Sequence, residues 1–318
     1  MPGESDRDST AAALPPEGQK PGANEPNPGD GAPPPRWGST DRKRLLLWVA
    51  IAFIPSVLFV LALHAIQKPA ESVFSIQSEL PLKGMMAFFV VLATWIVSRM
   101  EKRPLDDYGI PPGQVFGMRF WEGLLWGFGM LSAILLALRW TGHFQIDSVA
   151  LQGGAVWRYA IGWGAVFFAV AVHEEFAFRG YWLFVLARLR GFWLGALFTS
   201  VIFGVAHLGN PGENILGILQ VVLIGLIFCL TIRRTGNLWF AVGFHAAWDW
   251  AETFFYGTPD SGLLGVGRYL NTSVQGPKWL TGGSAGPEGS VIALLVLLLF
   301  ALLVHLRFPK AIYPDRPR

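Results

Sequence analysis

Apolar positions along this 318-residue chain gather in runs instead of alternating with polar ones. A hydrocarbon core about 30 Å thick takes roughly 20 residues of helix. Runs near that length recur eight times, at Leu45–Ile66, Leu80–Ser98, Phe120–Leu138, Val156–Phe178, Phe192–Leu208, Ile215–Ile232, Leu238–Phe255 and Val291–Leu306. The second is the weakest, because Pro81 and Lys83 crowd its start. The pattern predicts an all-α, polytopic membrane helix bundle of about eight transmembrane helices. Two other stretches stand out. "YWLFVLARLR", Tyr181–Arg190, is too short to cross, and its aromatics and arginines suit a helix lying at the inner interface. The segment from Gly257 to Gly289, rich in glycine and proline, reads as an irregular outward loop. Its "NTS" at Asn271 is a glycosylation acceptor only in a secretory compartment.

The first 40 residues follow a different rule. They hold nine of the 22 prolines and six of the 37 glycines, with no apolar periodicity. Such a segment cannot bury enough surface to offset chain entropy, so residues 1–40 are expected to be a disordered tail and 41–318 the helix-bundle domain. The tail also lacks the cationic start and apolar core of a secretory signal.

Composition agrees with a lipid environment. Hydrophobic residues make up 52% of the chain and charged residues 15%, against about 25% charged in a soluble domain. A net charge of +3, scattered around the apolar runs, gives no basis for a nucleic-acid partner. The single cysteine, Cys229, excludes an internal disulfide and any multi-cysteine metal site, and it reads as a small core residue. The basic residues set the orientation. With the N-terminus inside, inward segments carry 16 of the 25, outward loops carry six, and three lie in the tail. Both termini are therefore expected to be cytoplasmic.

Ionisable residues inside the spans are few, and each needs a reason to be there. They are His173, Glu174 and Glu175, then His207, then His245, Asp249 and Glu252. Glu122, His64 and His305 lie near span ends, where snorkelling suffices. Glu175 and Arg179, four apart, share a helix face and read as a buried ion pair. Glu174 is turned by about 100° from Glu175 and is free to point elsewhere. His245 and Asp249 also share a face. If the three spans converge, a carboxylate beside an imidazole can hold and deprotonate water. A second imidazole could then stabilise the oxyanion of a tetrahedral intermediate. That chemistry is amide hydrolysis within the membrane.

Three short motifs carry a resemblance. "EEFAFR" (Glu174–Arg179), "FGVAH" (Phe203–His207) and "HAAWD" (His245–Asp249) occur in order, each in an expected span. The chain between 156 and 256 thereby resembles the CAAX-protease and bacteriocin-processing family, which includes the type II CAAX prenyl endopeptidases. The resemblance implies that Glu174 and His207 activate the attacking water. It implies that His245 and Asp249 form the oxyanion site and that Glu175 and Arg179 support them. It also implies a peptide substrate, such as a prenylated C-terminal tail. The catalytic cofactor is either none or a zinc ion, which Glu174, His207 and His245 would ligate. The His-Glu-x-x-His signature of common zinc proteases is absent, since "HEEFA" lacks its second histidine.

Some relatives have asparagine at the position of Asp249. An ionised carboxylate cannot donate to an oxyanion, so Asp249 must be protonated, orient His245, or bind a metal. Orientation is the reading we favour. One geometrical tension remains: His207 comes about 22 Å along the fifth span, whereas Glu174 sits near the inner end of the fourth. Rival functions are a transporter or proton relay, and a non-catalytic membrane scaffold or immunity protein. A serine protease built on Ser284, in the loop "GGSAG", is weaker than either.

Overall fold

The computed structural model describes residues 39–66 and 74–313, so the expected disorder of 1–40 falls outside the described residues apart from their last two. Each of the eight apolar runs coincides with a helix: α1 Ser39–Ile66, α2 Ile76–Glu101, α3 Met118–Trp140, α4 Gly154–Glu175, α6 Phe192–Ala206, α7 Ile215–Thr235, α8 Trp239–Trp250 and α10 Val291–Arg307. Between them come α5 Tyr181–Arg190 and the single turn α9 Lys278–Thr281. Among the described residues, five helical segments are long and apolar enough to cross a membrane, namely α2, α3, the continuous stretch through α4 and α5, α6 with its last turn, and α7. Large apolar side chains such as Leu125, Leu136, Trp157 and Ile161 are exposed on the outside of the bundle. Only a hydrocarbon solvent tolerates so much of this surface, and the chain is an integral membrane protein.

Local chemistry sets the helix ends. Ser75 caps α2 in a reciprocal box with Ser78, and Asn214 accepts from the first amides of α7, Leu216 N and Gly217 N. Gly236, at φ 66°, then stops α7 just beyond Arg233 and Arg234, whose charges favour a helix C-terminus.

Two packing events position everything else. First, α3 and α8 press together through glycine. A Cβ at Gly123 would overlap the Phe240 carbonyl, one at Gly127 the Phe244 carbonyl, and one at Gly243 the Phe120 carbonyl. Gly123 and Gly127 are four apart, the spacing with which membrane helices bring backbones close. Second, α4 does not stop where the sequence suggests. It runs through a π-helical turn, Phe176–Gly180, into α5. Gly191, at φ 95°, then reverses the chain into α6. Gly195 packs on Leu183 and Ala187, and the rings of Phe178 and Phe203 meet at 5.0 Å.

That hairpin corrects the reading of Tyr181–Arg190 as a helix lying apart at the interface. Tyr181, Leu183, Phe184 and Val185 are buried, and the segment extends α4. It also removes the tension over height. The reversal at Gly191 lies 17 residues after Glu174 and 16 before His207, so both reach the same level. The segment 257–289 is also more ordered than expected. β1, Phe144–Val149, pairs antiparallel with β2, Leu270–Val274, from Phe144↔Val274 to Val149↔Leu270 with one irregularity. Alternating threonine, serine and valine suits such a strand, and the pairing ties the loop to the end of α3.

Gly127→Ala should cost about 1–3 kcal/mol by forcing α3 from α8, read as a lower melting temperature in detergent. Gly129→Ala on the same helix, where a Cβ meets nothing within 4 Å, should leave melting unchanged or slightly raised.

Candidate active site

The site begins with a divergence between neighbours. Glu174 and Glu175 are adjacent on α4, so a helix turns them about 100° apart. Glu175 points into protein and has no exposed surface. Its Oε1 accepts from Arg179 Nη1 at 3.0 Å and lies 2.9 Å from His245 Nδ1. Arg179 is equally buried, with its guanidinium 4.0 Å over the Phe203 ring. A Cβ at Gly225 of α7 would collide with Arg179 Nη2, so a glycine gives the guanidinium its room. The ion pair read from the sequence is therefore present, and His245 joins it.

Glu174 faces the other way, into a chamber of about 360 Å³. His207, His245 and Asp249 line the same chamber. His207 Nδ1 lies 2.7 Å from the Phe203 carbonyl. A carbonyl only accepts, so Nδ1 carries the proton and Nε2 is left as an acceptor. On His245 the Nδ1 proton goes to Glu175, and Nε2 lies 3.4 Å from Asp249 Oδ2 and 3.8 Å from Glu174 Oε2. The orienting hydrogen bond on His245 thus comes from Glu175 of α4. Asp249 instead flanks the nitrogen that faces the chamber. A π-helical turn, Ala251–Tyr256, follows α8 just as one follows α4, and such turns recur beside functional residues.

The three residues named for a zinc ion, Glu174, His207 and His245, line one chamber. Among the described residues, Glu252, Asp260 and Glu288 are the group whose ligand atoms all lie within 4.8 Å of one another. Glu174, His207 and His245 are more widely spaced than that, and each histidine, held at Nδ1, keeps Nε2 open as a ligand nitrogen.

Several lining residues escaped the sequence reading. Lys83 and Glu79, one turn apart on α2, face the chamber with His173 of α4. Lys83 interrupts an apolar run, and that interruption was the available signal. Asp260 and Glu288 come from the long loop and also line the wall. Burial and the neighbouring acids push Glu288 up to about 8, and burial raises Asp260 to about 6. No motif marks either. Ser284 is not among the lining residues, while Glu122 pairs with Arg119 and Arg307 near the end of α10, as a span-end residue should.

Three motifs from separate helices meeting at one chamber match a known pattern. The chain from 156 to 251 matches the family model described as type II CAAX prenyl endopeptidase Rce1-like. That stretch, 96 of the 318 residues, is similar to the Rce1-like CAAX-protease family. The Rce1-like segment spans α4 to α8 and contains Glu174, His207, His245 and Asp249. A curated relative is an uncharacterized 24.3 kDa protein of Escherichia coli, 37% identical over 83 residues, or 25% of this chain. The chain spans only 37% of the length of that relative.

Truncating Glu175 to alanine leaves Arg179 buried without its carboxylate and should cost about 3–5 kcal/mol. Glu174→Gln, which keeps shape and faces the chamber, should change stability by less than about 1 kcal/mol. Denaturant unfolding in micelles separates the two.

Proposed function

We propose that the chain is an intramembrane endopeptidase in which Glu174 and His207 activate a water molecule. The observation that carries the proposal is the meeting of a chamber-facing carboxylate with two imidazoles whose Nδ1 atoms are both held from behind. In this reading Glu174 takes a proton from water as the oxygen attacks the scissile carbonyl. His207 Nε2 accepts the water's other hydrogen and fixes its direction. His245 carries both of its protons, balanced by Glu175 and Asp249, and its Nε2–H receives the developing oxyanion. Asp249, 3.4 Å from Nε2, acts through His245. The tetrahedral intermediate then collapses as Glu174 returns its proton to the leaving amine, giving a free amine and a carboxylic acid that ionises on release. This route needs no metal.

The chamber also bears on the substrate. Its walls include Val166, Phe167, Val170, Phe178, Phe203 and Phe228, which suit an apolar peptide or a prenylated tail. Lys83, the one lysine or arginine among the lining residues, offers a positive charge to a peptide's terminal carboxylate. With both termini on the cytoplasmic side, a cytoplasmic substrate would enter laterally from the bilayer. A proton relay would need titratable groups continuing across the membrane, whereas those described here gather around one chamber.

Glu174→Gln should lower peptide cleavage at least about 100-fold while the melting temperature stays near that of the parent. An unchanged cleavage rate in the purified variant would overturn the assignment. Phenanthroline, which removes zinc and spares calcium, should leave the parent rate unaltered.

A further inference from the structure

The hydrolytic reading leaves a second group of buried acids without a role. Glu252 follows Asp249 by three residues and is fully buried. Neither of its carboxylate oxygens makes a hydrogen bond among the described residues, although the Trp248 side chain lies near it. The charged groups acting on it are Glu288, Asp260 and Asp249, all acidic. A buried carboxylate so placed is costly unless it takes up a proton or something cationic compensates it. Asp260 and Glu288 approach it from the long loop. One oxygen from each of the three residues lies within 4.8 Å of the others.

We infer that Glu252, Asp260 and Glu288 form a binding site for a hard divalent cation, Ca²⁺ before all others, which fastens the loop 257–290 to the end of α8 beside the chamber. Each ligand is prepared on one side and open on the other. Asp260 Oδ2 accepts from Thr253 Oγ1 at 3.0 Å, which leaves Oδ1. Glu288 Oε1 accepts from Ser261 N at 2.8 Å and Ser261 Oγ at 3.1 Å, which leaves Oε2. Ser261 is held in the left-handed region at φ 48°, a strained turn of the kind that clusters at ligand sites. Gly286, at φ 117°, leaves no room for a Cβ between the Pro259 carbonyl and Glu252 Oε1, so loop backbone is pressed onto the carboxylate.

The ligand type selects the ion. Three carboxylates with no imidazole or thiolate favour a hard cation over zinc or copper. Bonds of about 2.3–2.6 Å let Ca²⁺ span oxygens up to about 5 Å apart, whereas Mg²⁺ at about 2.0–2.1 Å reaches about 4 Å and sheds water reluctantly. Backbone carbonyls and water can complete the shell. The cation would act as a clasp: Asp260, Ser261, Leu263 and Glu288 all line the chamber, so fastening the loop also fixes one wall.

The test is Ca²⁺ added alone to the EDTA-treated full chain in detergent. Binding at about 10-fold above Kd should raise the melting temperature by about 3 °C or more, with Mg²⁺ giving a smaller shift. Calorimetric titration should show one Ca²⁺ per chain. Glu288→Gln and Asp260→Asn should each abolish the shift, while Glu174→Gln should retain it. An identical melting temperature with and without Ca²⁺, or an undiminished shift in Glu288→Gln, would overturn the site. If the loop variants do not fold, the titration of the parent chain decides: no heat and no uptake at millimolar Ca²⁺ refutes the inference.

Discussion

A carboxylate with no exposed surface stays ionised inside a membrane protein only if donors surround it, and Glu175 has two. Arg179 meets it one turn along its own helix, and His245 meets it from α8. This contact joins α4 to α8 and sets the face that His245 turns to the chamber. A buried ion pair is a weak source of net stability, because desolvating both charges offsets their attraction. Its value here is geometric. Removing either partner strands a charge, so the arrangement tolerates little alternative packing, and the Nδ1 proton of His245 has one place to go.

The rest of the architecture serves that contact. Glycines let α3 and α8 approach until backbone meets backbone, which holds α8 against lateral drift. Gly225 makes room for the Arg179 guanidinium, and the Phe203 ring covers it. Phe203 has a second task, since its carbonyl receives His207 Nδ1. One residue of α6 therefore supports the arginine behind the site and the histidine within it. Membrane helices have no hydrophobic drive to associate in lipid, so close packing and polar contacts of this kind must supply the cohesion.

Charged groups reach the chamber from several elements, Glu79 and Lys83 of α2 among them. Lys83 and the histidines lie among its lining groups with Glu174, while Asp260 and Glu288 come from the loop. A peptide lying along it would meet apolar walls for most of its length and charge only at a few points. That distribution suits a substrate already at home in the bilayer, whose polar amide must be met at one place. A cation on the loop acids would place a fixed positive charge near Asp249 and steady the wall on that side.

By itself the sequence determined the spans, because a hydrocarbon core imposes one length on every crossing helix and the apolar runs record it directly. It also separated Glu174 from Glu175, since helical rotation depends only on position. The GxxxG spacing of Gly123 and Gly127 was equally present to be read. Three things were decided by tertiary structure. The π turn after Glu175 carries α4 on to Gly191, and only that longer hairpin brings Glu174 level with His207. The partner of His245 Nδ1 lies 70 residues away on another helix, beyond any local pattern. Glu252, Asp260 and Glu288 meet because a glycine-rich loop folds back onto α8, and such a path is set by long-range contacts that leave no periodicity in the chain.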